Sequence, residues 1–381
     1  MGGNLLHYTR RCWAEIDLDA LRSNFELLRQ KLQGALPMAV VKADGYAHGA
    51  LPVAHLLQKD AGVEAFAVSN LDEAVQLREG GISGMILILG YTPPEEAERL
   101  HAFRLTQTLL SPEYAQMLNE QAKQRNLILP VHIAIDTGMN RIGFSSDLKN
   151  IGKLRWSNLL VEGAFTHFCH ADSTDLSARA FTEEQLRRFE DATDGMSGRH
   201  IQNTAGLLTG AGGGFDYARI GIALYGLSPS AEVTDSRLQP VMSLKSVISM
   251  LKVIPPGSTV GYGRTWRADR ETVVATVTLG YADGYSRSLS NRAEVLIRGK
   301  RARIIGNICM DQLMVDATGI DAAVEDEVTL FGRDRYGGSI TADELARDAG
   351  TIGYEIVCMI SKRVPRVYLQ NGKPPYTQLW M

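Results

Sequence analysis

Disulfide chemistry is the first capability this chain lacks. Its four cysteines, Cys12, Cys169, Cys309 and Cys358, lie far apart and form no C-x-x-C pair, which argues against a disulfide framework or a zinc ribbon and fits a reducing compartment. Long apolar runs are missing as well. The run GMILILG near residue 84 falls well short of the ~20 residues that span a bilayer. The N-terminal MGGNLLHYTRR holds no signal-peptide core, and Leu6 stands where a myristoylation motif wants Ser or Thr. Charge is nearly balanced, with a formal net charge of -3 and an isoelectric point near 6.3, so neither nucleic acid nor an anionic membrane is the expected partner. No low-complexity segment or charge run appears. We therefore expect a soluble, cytoplasmic protein that works on a small molecule.

At 381 residues the chain exceeds the roughly 250–300 residues at which one core stops growing, which predicts two domains. From residue 38 short apolar runs alternate with helix-period stretches. PMAVVKA, AFAVS, GMILILG, LTQTLL, LPVHIAID, VEGAFTHF, RHIQN and YARIGIALYG make eight candidate strands. Between them lie patterns such as PEYAQMLNEQAKQR, with Tyr114, Met117 and Leu118 on one face and Pro112 at a helix start. Eight βα units predict an α/β fold with an N-terminal (β/α)8 TIM-like barrel over residues 12–240, an open doubly wound sheet being the alternative. Beyond residue 240 the texture is β-rich, in VMSLKSVISMLKVI, ETVVATVTL, EVLIRGKRARIIG, QLMVDAT and DEVTLFG. Residues 241–381 are expected to form a mostly β domain, joined by the early CWAEID within residues 1–17, with Thr341 capping a late helix.

A (β/α)8 barrel carries its active site at the C-terminal ends of its strands, with a phosphate site at the loops after strands seven and eight. Lys42 falls at the exit of the first candidate strand, Arg141 after the fifth, and His167 at the end of the sixth. Asn203 and Thr204 follow the seventh, while Arg219, Gly221 and Ile222 belong to the eighth. The small residues and the Thr204 hydroxyl sit where phosphate would be cradled by backbone N–H groups. A desolvated lysine facing such a pocket suggests a Schiff base with pyridoxal phosphate, and a strand-end lysine stretched out to solvent is the competing reading. His167, Cys169 and His170 make a weak metal set without a carboxylate. GAGGGF reads as a turn, since no strand and helix frame it.

The motifs WAEIDLDAL, VVKADGYAHGA, DTGMNRIGF, THF, NTAG, ARIGIALYGL, VGYGRTW, LGYADGY, GNICMDQLMVD and GTIGYEIVCMISKRVPR stand in this order along the chain. With them the chain resembles the bacterial alanine racemase family of fold-type III pyridoxal-phosphate enzymes over nearly all its length. The resemblance implies a (β/α)8 barrel followed by a β domain, and racemisation of alanine that supplies D-alanine for peptidoglycan. It makes Lys42 the Schiff-base lysine and Tyr46 a phosphate ligand, joined by Asn203, Thr204, Gly221, Ile222 and Tyr354. Arg219 would donate to the pyridine nitrogen, with His167 holding it in place. A guanidinium keeps its proton near neutral pH, so the ring nitrogen would stay unprotonated, which weakens the electron sink and suppresses side reactions such as transamination.

Racemisation needs a group on each face of the substrate Cα. The resemblance assigns these to Lys42 and to Tyr262 of the partner subunit, in a head-to-tail homodimer with shared active sites. A phenol titrates near pH 10 and is an unpromising base without a special environment, so residue type alone would make Tyr262 a packed aromatic. Tyr281 and Met310 would also come from the second subunit. Arg141 would bind the substrate carboxylate, and Asp311 would shape the far wall.

Two positions depart from the family pattern. Ala134 stands where many members carry a carbamylated lysine that orients the arginine, so a bound chloride is expected near Arg141. Gly45, Tyr46, Ala47 and His48 replace the commoner Ala-Tyr-Gly-His. The rival reading is a serine/alanine racemase of the vancomycin-resistance type, which is expected to carry Asn where Tyr354 stands here. A non-catalytic pyridoxal-phosphate carrier on the same barrel would lack the second domain.

Overall fold

The computed structural model describes residues 9–148 and 151–378. They fall into two compact units: Arg22–Leu224 with Ser228–Leu238, and Met1–Leu21 with Tyr225–Leu227 and Gln239–Met381. The strand β1 (Cys12–Asp17) belongs to the second unit. The first contains β2 (Leu36–Val40), β3 (Ala65–Val68), β4 (Met85–Ile88), β5 (Thr106–Leu109), β6 (Leu129–Asp136), β7 (Phe144–Ser145), β8 (Leu159–Phe165), β9 (Arg199–His200) and β10 (Tyr217–Ile220).

Apart from the short β7, which only flanks β6, these strands run in the order β10-β2-β3-β4-β5-β6-β8-β9, and every ladder between neighbours is parallel. The ring closes through two backbone hydrogen bonds, from Asp216 N to Arg199 O (3.0 Å) and from Arg219 N to Gln202 O (3.1 Å). All eight expected strands are present in an almost closed barrel. Runs such as AFAV are buried at every position, as strands covered on both faces must be.

Two of the barrel helices start where the sequence offers a side-chain oxygen to an orphan N–H. Asn70 accepts from Glu73 N (3.0 Å) ahead of the helix Leu71–Glu79, and Ser111 accepts from Tyr114 N (3.1 Å) ahead of Pro112–Gln124. In the latter helix Tyr114, Ala115, Leu118 and Ala122 are buried, but Met117 is exposed. At 100° per residue the buried four share one arc, and Met117, on the same side as Tyr114 and Leu118, lies about 115° from its centre at the exposed edge of that face.

In the second unit β1 is antiparallel to β11 (Met242–Ile254) and parallel to β20 (Arg366–Gln370). The strands β12 (Thr259–Val260) and β13 (Trp266–Arg267) pair with each other. The remaining strands are β14 (Thr272–Val277), β15 (Glu294–Ile297), β16 (Lys300–Arg303), β17 (Leu313–Asp316), β18 (Glu327–Arg333), β19 (Ser339–Ile340) and β21 (Lys373–Gln378). Together with β1, β11 and β20 these make a ten-stranded sheet, whose core includes Trp13, Leu244, Val295, Phe331 and Tyr368. Thr341 accepts from Glu344 N (3.0 Å) and caps the helix Ala342–Ala349, as the sequence predicts.

Candidate active site

Lys42 stands two residues past the end of β2 and opens a turn of unusual hand. Ala43, Asp44, Gly45, Tyr46 and Ala47 all have φ between 52° and 63°. A left-handed turn costs non-glycine residues roughly 1–2 kcal/mol each, so the surroundings must hold it. Glu73 Oε1 accepts from Ala43 N (2.8 Å), Asp44 Oδ1 accepts from Ala50 N (2.9 Å), and His48 Nδ1 lies 2.8 Å from Tyr46 O. The turn ties Lys42 to the barrel rim and carries the Tyr46 side chain inward, where it is buried.

Tyr46 meets Thr204 and Gly221 there. A Cβ on Gly221 would lie 3.0 Å from Tyr46 Oη and 3.5 Å from Thr204 Oγ1, so only glycine keeps this cradle open. Thr204 Oγ1 accepts from Gly221 N (3.1 Å), which leaves its hydroxyl proton to donate. Asn203 caps the short helix that follows, accepting from Gly206 N (2.9 Å), and Ile222 opens the next 3-10 turn. The donor set and its lack of carboxylates suit a phosphate.

Arg219, on β10, is buried. Its Nη1 donates to Nδ1 (2.7 Å) and O (3.2 Å) of His200, and its Nη2 to Thr166 O (2.7 Å), Ile201 O (3.1 Å) and His167 Nδ1 (3.1 Å). None of these bonds uses Nε. Burial, and then the Arg141 charge, bring the Arg219 pKa down to about 9, so the guanidinium is still a cation at neutral pH. His167 lies two residues beyond β8 rather than at its end. Burial and the charges of Arg219, Arg141 and Lys42 hold its pKa well below the ordinary histidine value. Since Arg219 needs an acceptor, His167 carries its proton on Nε2. The 3.4 Å approach of Asn203 Nδ2 to that atom therefore sets two donors face to face and is no hydrogen bond.

Three cations thus surround one neutral histidine at the C-terminal ends of the barrel strands, which favours an anionic ligand. Arg141 is exposed and, among the described residues, its guanidinium has no hydrogen-bond or carboxylate partner. Beside it lies a cavity of about 20 Å³ lined by Ala134, Asp136, Arg141, Thr166 and His167 among others, room for one water molecule or small ion. Asp136 Oδ1 is engaged by Gly138 N and Asn140 N, both at 3.0 Å.

The second unit gathers the remaining candidates. Tyr262 sits between Gly261 and Gly263, both at φ 72°, and its carbonyl accepts from Asn307 Nδ2 (2.8 Å). Tyr281 N donates to Cys309 O and Ala282 N to Met310 O, each at 3.0 Å. A Cβ on Gly280 would lie 2.3 Å from Cys309 O, so that glycine permits the close approach. Tyr262, Tyr281 and Met310 are 74%, 42% and 54% exposed, and Asp311 is exposed beside them in sequence. Tyr354 is half-buried on the helix Gly353–Cys358.

Two family models match, alanine racemase, N-terminal domain, over residues 16–229 and alanine racemase, C-terminal domain, over residues 241–368. The chain belongs to the alanine racemase family. It is 44% identical to the alanine racemase of Desulfovibrio desulfuricans, over 96% of this chain and 100% of that protein. It is 41% identical to alanine racemase 1 of Clostridium acetobutylicum, over 97% and 98%. Among solved structures it is similar to the alanine racemase of Clostridium difficile 630 (TM-score 0.91, 38% identity, 98% of this chain and 99% of that one). The alanine racemase of Bacillus anthracis with bound L-Ala-P superposes with a TM-score of 0.89 at 34% identity, over 98% of each chain.

Several buried polar residues of the two units escaped the sequence reading. His132 and His200 sit inside strands read only for their apolar neighbours. Asp283 is fully buried and bonds to Arg11 Nη2 (2.8 Å), Arg363 Nε (2.8 Å) and Gly280 N (2.9 Å), while Arg363 Nη2 reaches Asp311 Oδ1 (2.6 Å). The available signal was a lone polar residue at an inward position of an apolar strand, and charges embedded in LGYADGY and SKRVPR.

Proposed function

We propose that the chain interconverts L-alanine and D-alanine with pyridoxal 5'-phosphate, by a two-base mechanism that supplies D-alanine for peptidoglycan. The observation that carries the reading is the pairing, on one barrel rim, of the Tyr46, Thr204 and Gly221 cradle with Lys42, Arg141 and Arg219 around His167. The cradle accepts a phosphate, with Asn203, Ile222 and Tyr354 completing the set, and Arg219 retains an Nε–H for a ring nitrogen acceptor. When bound through Lys42, the cofactor supplies an electron sink that acidifies the substrate Cα–H.

The protein's own groups do the rest. Arg141 binds the substrate carboxylate as a charge-assisted pair. Lys42 would hold and exchange a proton on one face of the substrate Cα, and Tyr262 of the partner subunit would do so on the other. Tyr281, Met310 and Asp311 of the partner subunit wall the site. Their exposure in a single protomer supports a homodimer with shared active sites. A chloride in the cavity beside Ala134 orients Arg141. No described helix is long and apolar enough to cross a membrane, and we place the protein in the cytoplasm.

Borohydride reduction of the cofactor-loaded protein, followed by peptide mass mapping, tests the assignment. Pyridoxyl mass on the peptide containing Lys42 is expected; label on another lysine would overturn it. Tyr354 favours alanine over serine, which parallel turnover of L-Ala and L-Ser checks.

A further inference from the structure

His132 plays no part in the reading above, yet it is buried in β6, on the same face as Ala134 two residues on. Its Nδ1 lies 3.0 Å from His200 Nε2, and the proton positions along this chain follow from one fact. Arginine only donates. Because Arg219 Nη1 donates to His200 Nδ1 at 2.7 Å, neutral His200 carries its proton on Nε2 and donates it to His132 Nδ1. His132 must then carry its own proton on Nε2, an atom buried without a hydrogen-bond partner among the described residues.

No other arrangement of protons satisfies both contacts. Burial and the Arg219 charge hold the pKa of His132 to about 4 and that of His200 well below the ordinary value, so both rings are neutral where the protein works. The His200 ring is clamped, stacked on Phe165 at 5.0 Å between centroids and meeting Tyr217 edge-on at 6.0 Å. A Cβ on Gly163 would lie 2.7 Å from His132 Cε1, so the glycine makes room for His132 itself. A buried N–H left unpaired is costly, and an apolar residue at position 132 would avoid that cost. What the histidine provides in return is an acceptor for His200.

We propose that His132 is a positioning residue, which locks His200 in the tautomer that accepts from Arg219 and so aims the Arg219 guanidinium. The proposal rests on the reading that Arg219 Nε faces the cofactor ring. Without an acceptor at position 132, His200 can move its proton to Nδ1, where it opposes Arg219 Nη1 and turns the guanidinium away.

The test is long-range 1H–15N correlation of histidine-labelled protein, with and without pyridoxal phosphate, on the wild type, His132→Asn and His132→Leu. The wild type is expected to show His200 protonated at Nε2, and His132→Asn, whose carboxamide oxygen can replace the acceptor, to keep it. His132→Leu should show both tautomers, a shifted visible band, and a kcat lower by about 10–100-fold at nearly unchanged KM. Wild-type His200 protonated at Nδ1 would overturn the proposal whatever the variants do, including failing to fold. Tautomer mixing in His132→Leu with unchanged kcat would overturn the positioning role. An Arg219→Gln protein with native band and turnover would instead locate the failure in the reading of Arg219.

Discussion

Arg219 Nη1 and His200 Nδ1 are 2.7 Å apart in the barrel interior, and the guanidinium also reaches three backbone carbonyls and His167. A lysine offers three donors from a point charge and cannot satisfy that fork. Each acceptor stranded in the interior costs about 1–3 kcal/mol. Arg219→Lys is therefore expected to lower the melting midpoint by several degrees and turnover by roughly 10²-fold; calorimetry and a racemisation assay check the two effects.

Tyr262 stands on a loop braced through its backbone, its ring exposed in the protomer. Removing the hydroxyl leaves the loop and the barrel cradle intact. Tyr262→Phe should keep the visible band of the bound cofactor and lose about 10²–10⁴-fold in turnover. Normal racemisation by this variant would sink the two-base assignment.

The cavity beside Ala134 and Arg141 gives an anion dependence. Replacing chloride by gluconate, too large for about 20 Å³, should raise KM for alanine by about tenfold, the worth of one charge-assisted bond, with kcat less affected. Ala134→Met fills the cavity and should abolish the chloride response. Steady-state kinetics in the two salts decide it.

The buried histidines set an acid limit. The folded pKa of His132 is about 4, depressed by burial and by Arg219, below the ordinary ~6.5. The unfolded chain therefore takes up the proton first as pH falls. The full stability is present above about 6.5 and is lost between there and 4, by about 3 kcal/mol for this residue; His167 and His200 add losses of the same sign. Apparent melting midpoints measured from pH 7.5 down to 4.5 should fall, and less steeply in His132→Asn.

The barrel was legible because each strand is a short apolar run closed by a turn or helix start, and the rim residues lie just past those runs. Lys42 shows the limit of such reading. Its position at a strand exit was visible, but the left-handed turn around Ala43 and Asp44 was not. That conformation is held by Glu73, which accepts from Ala43 N across thirty residues, and by Asp44, which accepts from Ala50 N. His132, His200 and Asp283 stayed hidden for a similar reason. A buried polar residue acquires its role from partners such as Arg219 and Arg363, which pattern and spacing do not bring together.

The measurement that reaches the central claim most directly follows L-alanine incubated with the cofactor-loaded protein, with the enantiomers quantified by chiral chromatography beside Lys42→Ala. Enantiomers have equal free energies in water, so the wild type is expected to bring either pure enantiomer to an equal mixture, and Lys42→Ala to leave it unchanged. Persistence of pure L-alanine with the wild type, or equal racemisation by Lys42→Ala, would contradict the account.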